Sequence, residues 1–194
     1  MDPDIVDAVE RARRGEPDAI EFVARRALRL ALRTAAATVG SREDAADIAQ
    51  DVAIDVLRGL RGLRDPSRLD PWVHRITARR ALRHLRSRRG RVRTERDLAG
   101  LLDSEHPVTS VGEAELAERW SATPAMRQAL AQLPPRQRLA LALRYVAGLT
   151  DTEIASALGC RRGTAGALLS RGRATLRANP LLAELRANHL QGEC

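Results

Sequence analysis

Between Pro17 and Gly40 apolar side chains recur at spacings of three and four: Ile20, Val23, Ala24, Ala27, Leu28, Ala31 and Leu32. A helix turns about 100° per residue, so this spacing gathers them into one stripe and predicts a helix that buries it. Proline suits a first helical turn and glycine a helix end, which sets the bounds at Pro17 and Gly40. A shorter helix precedes it and closes at Gly15. Ser41 with Asp44 three residues on has the layout of a capping box, so the next helix should run from there to about Leu57. Gly59 and Gly62 loosen the chain after it. Arg64-Asp65-Pro66-Ser67-Arg68 has turn composition. Asp70-Pro71 then reads as a cap followed by proline at the first helical position, launching a helix from Trp72 to about Arg89.

From Thr94 to Ala122 the period weakens and the charge changes sign, with Glu95, Asp97, Asp103, Glu105, Glu113, Glu115 and Glu118 against two arginines. This stretch reads as an acidic linker. Order resumes at Thr123-Pro124, Leu133-Pro134-Pro135 separates two helices, and Gly148 ends the second of them. Thr150 with Glu153 makes a second capping box. From Glu153 to Arg177 the layout is a helix-turn-helix: Ile154, Ala155 and Leu158 on a short helix, Gly159 at the turn, and a longer helix from Gly163 with Ala165 and Leu169 facing inward.

Composition agrees with helices throughout. Of 194 residues 44% are apolar, enough for a buried core, while only 2% are aromatic and β-branched residues are scarce, so sheets have little to build with. The fold class expected is all-α: two small helical domains, 1–93 and 123–178, joined by the acidic linker 94–122 and followed by a C-terminal tail, 179–194. Two cysteines, Cys160 and Cys194, are too few for a disulfide framework or a four-ligand zinc site. No bound metal or cofactor is expected. No apolar run is long enough to span a bilayer, and the first ten residues are acidic rather than signal-like, so no membrane insertion and a cytoplasmic location are expected.

All 33 basic residues are arginine, set against 25 acids for a formal charge of +8, which points to an acidic partner. Their placement is more telling than their number. Between Trp72 and Val92 there is no acid, and Arg75, Arg79, Arg83 and Arg86 share one helix face while Val73, Thr77, Ala81 and Leu85 line another. Like charges four apart destabilise a helix by roughly 0.2–0.5 kcal/mol per pair, a repulsion that a polyanion relieves. The opposite pattern comes after Ser41, where Asp44, Asp47, Asp51 and Asp55 project together beside Ala45, Ile48, Val52 and Val56. Spacing alone leaves that face open between solvent exposure and docking of a basic protein. In the helix-turn-helix, Arg161, Arg162, Arg171, Arg173 and Arg177 cluster with no acid between Cys160 and Arg177. His74, His84, His106 and His189 show no metalloprotease spacing, no glycine-rich phosphate loop is present, and neither cysteine has a base nearby in sequence, so an enzyme is disfavoured.

Together these residues resemble the extracytoplasmic-function sigma factors, minimal bacterial RNA polymerase subunits built of two helical domains. ARRGEPDAIEF, DAADIAQDV from Asp44 and PWVHRITARRALRHLRSRR from Pro71 look like the second conserved region of that family. LAQLPPRQRLALALRYVAGLTDTEIASALGCRRGTAGALLSRGRATLR, from Leu130 to Arg177, looks like the fourth almost throughout. The resemblance implies that Asp44, Asp47, Gln50, Asp51 and Asp55 dock on a basic coiled coil of the polymerase β′ subunit. It implies −10 element contacts from Arg64, Ser67, Arg68, Trp72, Arg75, Arg79, Arg83 and Arg86, with one base flipped from the stack at a cost of a few kcal/mol. It further implies −35 contacts from Arg161, Arg162, Thr164, Ser170, Arg171 and Arg173. Partners implied are core RNA polymerase through β and β′, promoter DNA and an anti-sigma factor. Arg79 and Arg83 stand where the family usually has Asn and Asp, and both build the arginine stripe. Gly166, Ala167 and Leu168 replace a basic residue, Ser and Arg, which weakens direct −35 readout. The competing reading is a stand-alone helix-turn-helix regulator, which has no need of the Asp44–Asp55 face or the upstream domain.

Overall fold

The computed structural model of the protein describes residues 3–96 and 124–183, and its elements are all helical, with no strand among the described residues. The first unit comprises α1 (Pro3–Arg13), α2 (Pro17–Val39), α3 (Arg42–Gly59) and α4 (Leu69–Arg96), with 3-10 turns at Leu60–Gly62 and Pro66–Arg68. The second comprises α5 (Pro124–Gln132), α6 (Pro135–Tyr145), α7 (Asp151–Leu158) and α8 (Arg162–Arg177).

Helix α2 is the axis of the first unit. Its buried row is Ala19, Val23, Ala27, Ala31 and Ala35, rotated from the stripe that spacing alone suggests: Ile20, Ala24 and Leu32 are half-buried and Leu28 is 39% exposed. The alanine row wins because small side chains let the α3 backbone approach closely enough to seal Ala45, Ile48, Ala49, Val52 and Val56 against it. Leu69, Val73 and Ala81 of α4 complete this core. Ser41 caps α3, its hydroxyl accepting from the Asp44 N–H at 3.2 Å.

The start of α4 departs from expectation. The helix begins at Leu69, directly after the second 3-10 turn, and Asp70 sits inside its first turn, where it accepts two hydrogen bonds from Arg26 at 2.7 and 2.8 Å instead of capping the helix. The turn itself is held by Asp65, which accepts from the Ser67 N–H (3.0 Å) and hydroxyl (2.6 Å), so that Leu69 already has helical backbone before the proline. Helix α4 also runs on to Arg96, past Arg89. The acidic stretch from 97 to 122 and the chain beyond 183 lie outside the described residues.

In the second unit the Thr150–Glu153 capping box is complete. The Thr150 hydroxyl accepts from the Glu153 N–H at 3.4 Å, and Glu153 Oε2 accepts from the Thr150 N–H at 3.0 Å. Gly148 and Gly159 end their helices at φ of +68° and +60°, a region that glycine enters without strain. Helix α8 starts at Arg162, one residue before Gly163. Ile154, Leu158, Ala165 and Leu169 seal against Leu139 and Leu143. After α8, Asn179 is buried and donates to Gln132 Oε1 at 2.9 Å, and Leu182 is buried too, so residues 179–182 belong to the packed body.

The two units meet along α2 and α4 on one side and α6 and α7 on the other. Ala78 of α4 is fully buried within the core of the second unit, and Leu82 packs on the same cluster. Arg138, itself buried on α6, donates Nη1 to the Thr38 carbonyl across the seam at 2.9 Å and Nη2 to the Ala131 and Leu133 carbonyls of its own unit at 2.6 and 3.2 Å.

Candidate nucleic-acid interface

The acidic face of α3 is divided by the tertiary structure. Arg80 of α4 donates Nε to Asp55 at 2.8 Å and Nη1 to Asp51 at 2.5 Å, and Asp44 lies 3.1 Å from His84 Nε2. Three of the four carboxylates therefore face α4. Asp47 and Gln50 face solvent, and beside them Ile54 is 42% exposed, an apolar side chain in the middle of a polar face. The spacing of Ile54 from Asp47, seven residues and two turns, was legible in the sequence, although the residue passes for core when only the hydrophobic positions are counted. An exposed apolar residue ringed by polar ones is the usual make-up of a docking patch.

On α4 the arginines separate by face. Arg79, Arg83 and Arg86 are exposed and make no ion pair among the described residues, while Arg75 is half-buried and Arg80 is turned back onto α3. A band of positive potential thus runs along one edge of the unit. The preceding loop contributes unequally. Arg64 is exposed, Ser67 is spent on Asp65, and Arg68 pairs with Glu153 of α7 at 3.3 Å. Trp72 is half-buried against the first core, and its indole lies over Gly59, where a Cβ would come within 3.1 Å of Cζ2. His74 is buried beneath this edge. Its Nδ1 shares a hydrogen bond of 3.0 Å with the Thr34 hydroxyl, and burial lowers its pKa to about 4, against a smaller opposing pull from Asp70.

On α8 and its entry, Arg161, Arg162, Thr164, Ser170, Arg171 and Arg173 are all exposed. None of the four arginines makes an ion pair among the described residues. Leu168 is half-buried against the second core, so it supports the helix and is turned from solvent. Gly172 has a packing reason: a Cβ there would meet Leu141 Cδ1 at 3.0 Å, so glycine lets α8 lie directly on α6. Gly166 has open space over it, consistent with a flat stretch in the middle of the exposed face.

Two features at the seam had no sequence signal. Arg138 is one arginine among 33 and nothing in its neighbourhood marks it as buried. The seam also leaves a cleft of about 560 Å³ bordered by Leu32, Arg33, Ala36, Arg42, Leu130 and Ala131. Among the described residues no three His, Cys, Asp or Glu side chains gather as a metal site would need, and no helix is long and apolar enough to cross a membrane.

Similarity to known proteins runs along both units. The pattern described as sigma-70 region 2 matches residues 23–91, and that of sigma-70 region 4 matches residues 124–176. The chain is 30% identical over 185 residues to the RNA polymerase sigma-H factor of Pseudomonas aeruginosa, covering 91% of this chain and 94% of that protein. It is 32% identical over 115 residues to the ECF RNA polymerase sigma factor SigE of Mycolicibacterium smegmatis, covering 58% of this chain and 42% of that longer relative. Among solved structures, CnrH in complex with the cytosolic domain of CnrY superposes with a TM-score of 0.57 at 22% identity, over 90% of this chain and 95% of that one. The sigma factor RpoE of Bartonella quintana, solved with the anti-sigma factor NepR, gives 0.59 at 23% identity, over 80% and 92%.

Proposed function

The chain belongs to the sigma-70 family of RNA polymerase sigma factors, the subunits that direct polymerase to promoters and start transcription, and from that premise we propose how its surfaces divide the work. Asp47, Gln50 and Ile54 on the exposed side of α3 dock on a basic surface of core polymerase, with β and β′ as the contacting subunits. The edge of α4 formed by Arg79, Arg83 and Arg86, with Arg64, Arg68 and Arg75 beside it, holds the −10 element. The exposed side of α8 enters the major groove at the −35 element. The chain performs no chemistry of its own, acts in the cytoplasm, and takes an anti-sigma protein as its regulator.

The observation that carries this reading is the division of charge on neighbouring helices: α3 presents Asp47 and Asp51 outward beside Gln50 and Ile54, while on α4, one helix away, Arg79, Arg83 and Arg86 are exposed and no acid lies between Trp72 and Val92. A stand-alone regulator needs only the second. Asp47→Arg combined with Gln50→Arg tests the assignment, because neither residue takes part in the Arg80 pairings. Co-elution with core polymerase should be lost while the helical circular dichroism stays as it was. Undiminished co-elution would refute docking through α3.

A further inference from the structure

Helix α1 supplies none of the surfaces assigned above, yet its last turn reaches the chain that leads into one of them. Arg13 uses all three of its guanidinium nitrogens. Nε donates to the Leu60 carbonyl at 3.2 Å, Nη2 donates to the Leu63 carbonyl, and Nη1 donates to Glu10 Oε1 at 2.6 Å. Leu60 and Leu63 bracket the first 3-10 turn, whose closing hydrogen bond runs from the Leu63 N–H to the Leu60 carbonyl at 3.2 Å, and both side chains are buried in the first core. Leu63 is already extended, at φ −71° and ψ 107°, so its carbonyl lies past the helical ladder and takes its donor from a helix 50 residues earlier. The next residue, Arg64, is exposed and opens the loop that ends at Arg68.

We infer that Arg13 is a positioning residue for the −10 contact: by holding the Leu60 and Leu63 carbonyls it fixes the direction in which the chain leaves the core, so that the loop Arg64–Arg68 meets an unstacked base in one conformation. The inference rests on the sigma-factor reading above and extends its −10 site to a residue of α1 that is assigned no contact with DNA or polymerase.

The physical reason is preorganisation. Unstacking a base already draws on the binding energy, and ordering the receiving loop at the same moment would draw on it again. The loop is secured at three points. At its exit Leu69 is fully buried and Asp70 is clamped by Arg26 of α2. In its middle Asp65 accepts from the Ser67 N–H and hydroxyl. At its entry Gly62 has no atom within 4 Å of where a Cβ would stand, so side-chain packing comes from Leu60 and Leu63, and the Arg13 tethers supply the rest. The planar fork of arginine suits this task, because separate nitrogens meet separate carbonyls while Glu10 orients the third. Helix α1 also packs against both 3-10 turns. Arg11, two residues earlier, pairs instead with Asp7, Glu16 and Asp18 around the junction of α1 and α2. One helix thus carries an arginine that holds the loop and another that holds the helix itself.

The test uses holoenzyme reconstituted from the full-length chain and core polymerase. Wild-type holoenzyme first selects a promoter from random-sequence DNA. The probe is the single strand across its −10 element that wild-type holoenzyme binds more tightly, compared with a mixed-sequence single strand of the same length. The readout is the ratio of the two affinities, taken below the unfolding transition of every variant. A loss of folded protein or of one positive charge moves both affinities together and leaves the ratio alone. Arg13→Met keeps an apolar stem and removes both tethers, and a loop left in the receptive conformation about a tenth of the time should lower the ratio about tenfold. Arg13→Lys keeps the charge without the fork and should lower it about threefold. Arg11→Met removes the same charge from the same helix and should leave the ratio within about twofold of wild type. An unchanged ratio in Arg13→Lys, or in a folded Arg13→Met, would overturn the inference, as would an equal fall in Arg11→Met. A wild-type chain that forms no holoenzyme, or a holoenzyme that selects no promoter, would refute the sigma-factor reading and the inference with it, a result distinct from an unchanged ratio.

Discussion

Helices α4 and α8 both carry arginines in number, and they use them differently. On α4 the basic residues are sorted by one residue of register: Arg79 is exposed and without an acidic partner among the described residues, while Arg80 is tied to Asp51 and Asp55. On α8 and its entry the basic residues flank a middle built of Gly166, Ala167 and Leu168, of which Leu168 packs inward. An arginine run on a helix is thus part structure and part surface, and the share is set by what the neighbouring helix offers. For α4 the neighbour is the acidic α3. For α8 the neighbours are α6 and α7, which present leucine and alanine, so no arginine of the exposed side is drawn in.

The largest expected effect comes from undercutting the platform on which α8 stands. Ile154→Ala removes a fully buried side chain and should cost about 2–5 kcal/mol of stability, measured by thermal or denaturant unfolding. A loss under 1 kcal/mol would mean that the second unit is loosely packed and that its exposed arginines are not held in register.

The α4 side has a pH signature that α8 lacks. Above pH 6.5 His74 is neutral in the folded and the unfolded chain alike. Between about 6.5 and about 4 the unfolded chain takes up a proton that the buried ring, flanked by Thr34, Asp70, Glu153 and Arg33, does not. Stability should therefore fall as pH falls through that window, by up to about 3 kcal/mol. The carboxylates of the protein titrate in part of the same range, so the informative quantity is the difference from a His74→Asn variant, which should lose less stability across it. Equal slopes would rule out the buried neutral ring.

Transcription assays sharpen the contrast between the two arrays. Arg79→Ala or Arg83→Ala should reduce promoter-dependent transcripts about tenfold, and Arg171→Ala about threefold or less, because α8 has few hydrogen-bonding side chains near its middle to read bases and its arginines mainly meet phosphates. Substituting −35 bases should be tolerated better than substituting −10 bases. The reverse order would make α8 the principal reader. The smallest effect belongs to Arg80→Ala, adjacent in sequence to Arg79: about 1 kcal/mol of stability from a part-exposed pairing, with single-stranded DNA binding nearly unchanged. If Arg80→Ala weakened DNA binding as much as Arg79→Ala, the sorting of the two faces would be wrong.

Much of this molecule is written locally. The helix-turn-helix, the Thr150–Glu153 box, the glycine stops at Gly40, Gly148 and Gly159, the outward arginines of α4 and the inward Ala165 and Leu169 all arise from spacings within a turn or two, because a helix fixes its own periodicity and its own end groups. What the tertiary structure decided is which side of each helix meets which neighbour. Periodicity leaves the rows Ile20-Ala24-Leu28 and Ala19-Val23-Ala27 nearly equivalent on α2, and the close approach of α3 selects the alanine row and leaves Leu28 outside. The same holds for Arg80 on Asp51 and Asp55, Asp70 on Arg26, Gly172 under Leu141, and Arg138 against Thr38. Each joins residues far apart in the chain, and contacts of that kind depend on distances that no local repeat encodes.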